Sequence, residues 1–163
     1  FERQRLRVNT AGQSTVYTPQ VMIGRQVQTV WRASPAVVRA LDAAGGVADV
    51  GVALLLERQG EAGTVRLGVA RSGSSAGKPA SVWLAQTVDA QETRVRDGEN
   101  AGATLRHDRV VAKLWGPWSL DRLPLSKALD VELGQGAWGL TAFVEAADGR
   151  LLQSLRMAST DCR

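Results

Sequence analysis

The chain has 163 residues, with 20 Lys and Arg against 16 Asp and Glu and a net charge of +4. That length can bury a sizeable core in one domain or two, and the longest apolar runs, such as Val50 to Leu56, fall far short of the roughly 20 residues that a membrane-spanning helix needs. A single cysteine, Cys162, excludes an intrachain disulfide framework and a thiolate metal cluster.

The positive charge is unevenly placed. Up to Gly45 there are six Arg against Glu2 and Asp42, whereas the remainder cancels at fourteen against fourteen. Arg3, Arg5 and Arg7 concentrate the excess. A basic arm can hold anionic partners, but this one has Phe1 as its only aromatic and no nucleic-acid-binding motif beside it, so it reads as a solvated face and not as a nucleic-acid site. Phe1 opens the chain with neither a charged n-region nor an apolar h-region, which reads as a processed or truncated start. Cys162, at the other end, is expected to be an exposed thiol or to form an intermolecular disulfide.

In chain order, Phe1 to Gln13 reads as the tail of a helix with Phe1, Arg5, Val8 and Ala11 on one face and Gly12 as its stop. Val16 to Arg25 follows as a turn feeding a strand. Pro19 fixes its own φ and holds Thr18 extended, Val21, Met22 and Ile23 form a short buried run, and Gly24 ends it. Proline cannot donate to a sheet ladder, so it belongs at a strand's first residue, an edge or a bulge, and a cis Thr18-Pro19 bond is one way to fit it. A second short strand is expected around Gln26 to Val30. Ser34-Pro35 then reads as N-cap and first helical residue, with Val37, Val38, Leu41 and Ala44 on one stripe and Gly45-Gly46 closing the helix.

From Val47 the apolar period falls from 3.6 to 2. Val50, Val52, Leu54 and Leu56 alternate with other residues, as do Val65, Leu67 and Val69, then Val82, Leu84 and Val88. Turns are expected at Gln59-Gly60, in the run Ser72 to Gly77 and at Asp97-Gly98. Later strands are expected at Thr104 to Leu114, Gly136 to Glu145 and Arg150 to Met157, with Asp148-Gly149 as the clearest hairpin turn. The stretch Gly116 to Leu125, holding Pro117 and Pro124, reads as a crossover connection. Roughly seven short strands without helical interruption describe an antiparallel sandwich or barrel.

Three pieces carry a resemblance: Phe1-Glu2-Arg3-Gln4, then Val16-Tyr17-Thr18-Pro19-Gln20, then Gly98 to Leu105, with Val110-Val111 and Trp118 beyond. In order and spacing they resemble a bacterial family of secreted thioredoxin-like proteins of unknown function, with a thioredoxin-like first half and a β-rich second half. Ile23-Gly24-Arg25 departs from the Val-x-Asn-Gly type of ending expected after the proline strand. The resemblance implies an α+β protein, with residues 1–45 as the C-terminal part of a thioredoxin-like α/β unit and 46–163 as an antiparallel β-sandwich. It also implies a periplasmic or secreted location, and that Tyr17, Thr18, Pro19 and Gln20 form the cis-proline loop that faces the redox cysteines and pairs with extended substrates. No Cys-x-x-Cys pair is present in the chain, and exchange needs a thiolate attacking a disulfide. Thiol-disulfide oxidoreductase activity would therefore require such a segment before Phe1, and the chain as it stands reads as non-catalytic. The alternative is a structural or assembly subunit that binds a larger envelope protein complex.

Two further candidates come from the residues. Glu99 and Asn100, with His107 a few residues on, are a candidate polar pocket, against the plainer reading that a turn Glu and Asn satisfy backbone N–H groups. Trp83, Trp115, Trp118 and Trp138 are an aromatic platform or, on the plainer reading, core and interface filling. No cofactor is expected, no metal site is expected from a lone His without thiolates, and a protein partner or an upstream segment is.

Overall fold

The computed structural model describes residues 2–17, 20–23, 26–28, 35–45, 48–71, 78–121 and 124–161. It contains two short helices and eleven strands among these residues, and the strands pair antiparallel throughout.

The N-terminal elements are helix α1 (Glu2–Thr10), strands β1 (Val21–Ile23) and β2 (Gln26–Gln28), and helix α2 (Pro35–Ala44). Gly12 ends α1 as its sequence position predicts. Its φ of 75° lets the chain turn back while the N–H groups of Ala11, Gly12 and Gln13 close on the carbonyls of Arg7, Asn9 and Val8. Val8 is fully buried, whereas Arg5, assigned to the same face, is exposed. Strand β1 pairs with β2, Val21 opposite Gln28 and Ile23 opposite Gln26, and α2 packs beside β1. The apolar stripe of α2 is only partly used, because Val38 and Leu41 remain exposed. Thr18, Pro19, Ser34 and Gly46 lie outside the described residues.

The rest of the chain is a two-sheet sandwich. One sheet has the order β3-β4-β9, built from β3 (Val50–Gln59), β4 (Ala62–Arg71) and β9 (Leu125–Glu132). The other has the order β11-β10-β5-β8, built from β5 (Ala80–Val88), β8 (Val110–Leu120), β10 (Trp138–Ala146) and β11 (Leu151–Ala158). The period of two drives this arrangement. Val65, Leu67 and Val69 of β4 meet Val82 and Leu84 of β5 and Leu140, Ala142 and Val144 of β10 in one core cluster. Each large apolar side chain so buried stabilises the fold by about 1.5–3 kcal/mol. Strand β11 lies across from β3, which places β8 and β9 on the opposite side of the sandwich. A second hairpin, β6 (Gln91–Arg94) with β7 (Thr104–His107), extends the β5 and β8 pair outward, and all eight of its strand residues are exposed.

Three expectations are corrected. Gly116 to Leu125 is a crossover only in its last part, because β8 runs through Gly116 and Pro117 to Leu120, with Trp118 opposite Val82 and Ser119 opposite Ser81, and the chain re-enters the other sheet as β9 at Leu125. Pro117 is tolerated there because β8 is an edge strand and the ladder is bulged between Val82 and Leu84. Its bond to Gly116 is cis, and Gly116 has a φ of 109°. The strand expected over Thr104 to Leu114 is broken at Asp108-Arg109, where Arg109 turns into the left-handed region. Strand β9 has no counterpart in the sequence reading, since its inward series Leu125, Lys127, Leu129 and Val131 carries a lysine in an otherwise apolar set. The tryptophans follow the plainer reading: Trp138 is buried in the core, Trp115 and Trp118 pack against it, and Trp83 stacks on Phe143 with centroids 6.2 Å apart.

Candidate functional site: a crevice between the N-terminal elements and the sandwich

Alternation along β10 assigns the two sides of its sheet. Leu140, Ala142 and Val144 enter the core, so Thr141, Phe143 and Glu145 face outward. Across the ladder Phe143 meets Ser154 and Glu145 meets Leu151, where a bulge follows Val144. Helix α1 docks on this outer face. The Arg7 guanidinium pairs with the Glu145 carboxylate and also donates to the Gly149 carbonyl at 3.2 Å. Glu145 is buried, and a buried carboxylate needs such partners.

Between these layers is a crevice of about 590 Å³, whose walls include Gln20 and Met22 from β1 and the residues just before it, with Phe143, Leu151 and Ser154 from the sandwich. Gln4 holds the N-terminal wall together. Its Nε2 donates to Gln20 Oε1 at 2.9 Å and to the Tyr17 carbonyl at 3.2 Å. This fixes the orientation of the Gln20 amide and leaves Gln20 Nε2, which is buried, with no hydrogen-bond partner among the described residues. A buried amide donor without an acceptor is unfavourable by about 1–3 kcal/mol, so the site favours an incoming carbonyl oxygen. The hydroxyls of Thr141 and Ser154 and the apolar surfaces of Met22, Phe143 and Leu151 complete a lining suited to a polypeptide.

The sequence-derived residues fall in different places. Tyr17 is part-exposed and contributes its carbonyl to the Gln4 contact, and Gln20 reaches the crevice. Thr18, Pro19 and Cys162 lie outside the described residues. Glu99 and Asn100 stand exposed at the tip of the β6 and β7 hairpin, where the Asn100 carbonyl accepts the Ala103 N–H at 3.1 Å. His107 pairs with Gln91 at the other end of that hairpin, beyond Thr104, so the structure does not bring it to Glu99 and Asn100. Among the described residues no three His, Cys, Asp or Glu side chains are placed to hold a metal ion. Arg7, read in the sequence only as part of a solvated basic face, is instead part-buried and paired with Glu145; Phe143 and Glu145 were not singled out by sequence. The period-2 pattern of β10 could have assigned the last two to a polar-capable outer face, but nothing local says what covers that face.

A larger cleft of about 820 Å³ opens where β4 and β9 diverge from β5 and β8. Gln86 there donates to the Glu132 carbonyl and Thr64 to Asp130 at 2.9 Å, and no described residue of this lining has a buried side-chain nitrogen or oxygen without a partner. It therefore offers a ligand less than the crevice does.

Fold and site together define an α+β protein in which helix α1 and the residues of the first hairpin close a crevice against an antiparallel β-sandwich. The chain belongs to a family described as protein of unknown function, DUF1223, which matches residues 1–145. Among solved structures it is similar to HBP35 of Porphyromonas gingivalis, with a TM-score of 0.64 and 14% sequence identity over 93% of this chain and 55% of that one. At that identity the likeness is one of fold, and this chain spans about half the length of that protein. No curated protein matches the chain.

Proposed function

We propose that this protein is a periplasmic or secreted, thioredoxin-like binding module that holds an extended polypeptide segment of a partner in the crevice between α1, β1 and the sandwich. The observation that carries this reading is the buried, unaccepted Nε2 of Gln20, set in a crevice of peptide-like chemistry directly after Thr18-Pro19. A backbone carbonyl of the bound segment would accept from Gln20, while apolar side chains would rest on Met22, Phe143 and Leu151. The exposed Val38 and Leu41 of α2 support a protein partner as well, since a second apolar surface on the same N-terminal elements awaits cover. The binding role needs no redox cysteine, and the chain has no Cys-x-x-Cys pair.

The test is a library of labelled extended peptides screened by fluorescence polarisation, followed by two variants. Ser154→Arg fills the crevice with an unchanged melting temperature, Gln20→Leu removes the donor together with the acceptor of Gln4, and each is expected to weaken binding by about tenfold or more. Absence of peptide binding, or binding indifferent to both substitutions, would overturn the proposal. Insulin reduction that is lost on thiol alkylation would replace it with an oxidoreductase reading.

A further inference from the structure

The four edge strands of the sandwich are not equally guarded. Strand β8 carries Pro117, two bulges, and Lys113 turned inward over the Trp115 ring at 4.9 Å. Strand β9 turns Lys127 inward over Trp118 at 6.0 Å. Proline, bulges and inward lysines all obstruct the addition of another strand. Strand β11 is bulged against β10 after Val144 and bordered by the docked N-terminal elements through Leu151 and Ser154. Strand β3 has none of these. Its ten residues pair with β4 in unbroken register from Val50 to Gln59, and no other described strand pairs with it. Its two charges do not stand guard, because Glu57 pairs with Arg66 at 3.1 Å and Arg58 donates to the Gly60 carbonyl at 2.7 Å.

We infer that the free edge of β3 is a self-association surface, on which a second copy of this chain adds its own β3 antiparallel, Leu54 opposite Leu54, to make one six-stranded sheet. The register follows from geometry. The β3 and β4 hairpin turns through the two residues Gly60 and Glu61, so Gln59 and Ala62 form a hydrogen-bonded pair and the odd-numbered residues of β3 bond to β4. The even-numbered residues Val50, Val52, Leu54, Leu56 and Arg58 then direct their N–H and C=O groups to the free edge. A two-fold axis normal to the sheet keeps core-facing side chains beside core-facing ones, so even residues must meet even residues. With Leu54 on the axis, Val52 meets Leu56 and Val50 meets Arg58, and the whole strand is used. On the outer face Leu55 lies beside Ala53 of the second copy, and Glu57 beside Gly51. No like charges are opposed. Shifting the register so that Ala53 falls on the axis would set Asp49 against Glu57, and setting Leu55 there would leave Val50 without a counterpart.

Sedimentation velocity of the full chain over the micromolar range tests this directly. A concentration-dependent dimer is expected. Leu55→Lys should weaken it by about tenfold or more, because the two lysines approach across the new seam, whereas Val111→Lys on β8 should leave it unchanged. Leu55 and Val111 are equally exposed at 57%, so the pair controls for a general surface effect. In a Cys162→Ser background, mixed Ala53→Cys and Leu55→Cys chains should form a disulfide heterodimer. A chain that stays monomeric, a dimer unmoved by Leu55→Lys, or failure of the mixed cysteine chains to cross-link in a dimer that does form would each overturn the inference.

Discussion

Asp89 and Asp108 cap each other's neighbours across the root of the projecting hairpin. Asp89 Oδ1 accepts the N–H of Arg109 at 2.7 Å, and Asp108 Oδ1 accepts the N–H of Ala90 at 2.9 Å. Ala90 and Arg109 are also the two non-glycine residues with positive φ among the described residues, at 55° and 56°. The two positive-φ residues therefore sit at one level, between β5 and β6 and between β7 and β8, and each is held by the carboxylate on the opposite strand.

That arrangement predicts opposite outcomes for two kinds of substitution. Asp89→Ala or Asp108→Ala should each lower stability by about 1 kcal/mol, the usual net worth of such a hydrogen bond. Ala90→Gly should raise it by roughly 0.5–1 kcal/mol, because relief of left-handed strain exceeds the added chain entropy. Urea denaturation of the three variants checks the signs.

At the docking face, Arg7→Met and Glu145→Gln should each destabilise the protein, the arginine change more so because it leaves a buried carboxylate without its guanidinium. Together they should be less damaging than their sum, with a coupling of about 1–3 kcal/mol. A double-mutant cycle by thermal or urea unfolding measures it. Additive effects would mean that α1 is not anchored through this pair.

Gly139 is a position where a side chain does not fit. A Cβ there would meet Thr87 Oγ1 at 2.8 Å and the Arg156 guanidinium at 2.9 Å. Arg156 can swing aside, but Thr87 is buried on a central strand. Gly139→Ala should destabilise by about 1–3 kcal/mol as an overpacked site, and adding Thr87→Ala should restore part of the loss. Calorimetric melting of the single and double variants is the measurement.

Helix α1 supplies a paired test of burial. Val8→Ala should lower stability by about 1.5–2 kcal/mol, since Val8 is 0% exposed. Leu6→Ala, at a residue 67% exposed, should change it by less than about 0.5 kcal/mol. A Val8 variant with unchanged stability would show that the helix contributes nothing to the folded unit.

What the residues determined alone is local. Alternation of Val65, Leu67 and Val69, or of Leu140, Ala142 and Val144, can be satisfied only by a strand with one buried face, and Gly12 and Gly149 mark turns that need positive φ. Those features are written in neighbouring positions, so they were legible without coordinates. Strand β9 was not, because Lys127 is inward-facing only by virtue of Trp118 on the other sheet. Nor was the course of β8 through Pro117, where Gly116 and Pro117 bulge against the single residue Trp83 of β5. The crevice belongs entirely to tertiary structure. Arg7 and Glu145 are 138 residues apart in the chain, and Gln20 becomes a candidate ligand donor only when Gln4 occupies its oxygen and the packed layers take its nitrogen out of water. Period and turn chemistry act over a few residues, whereas which faces meet is settled by how the sheets and helices pack.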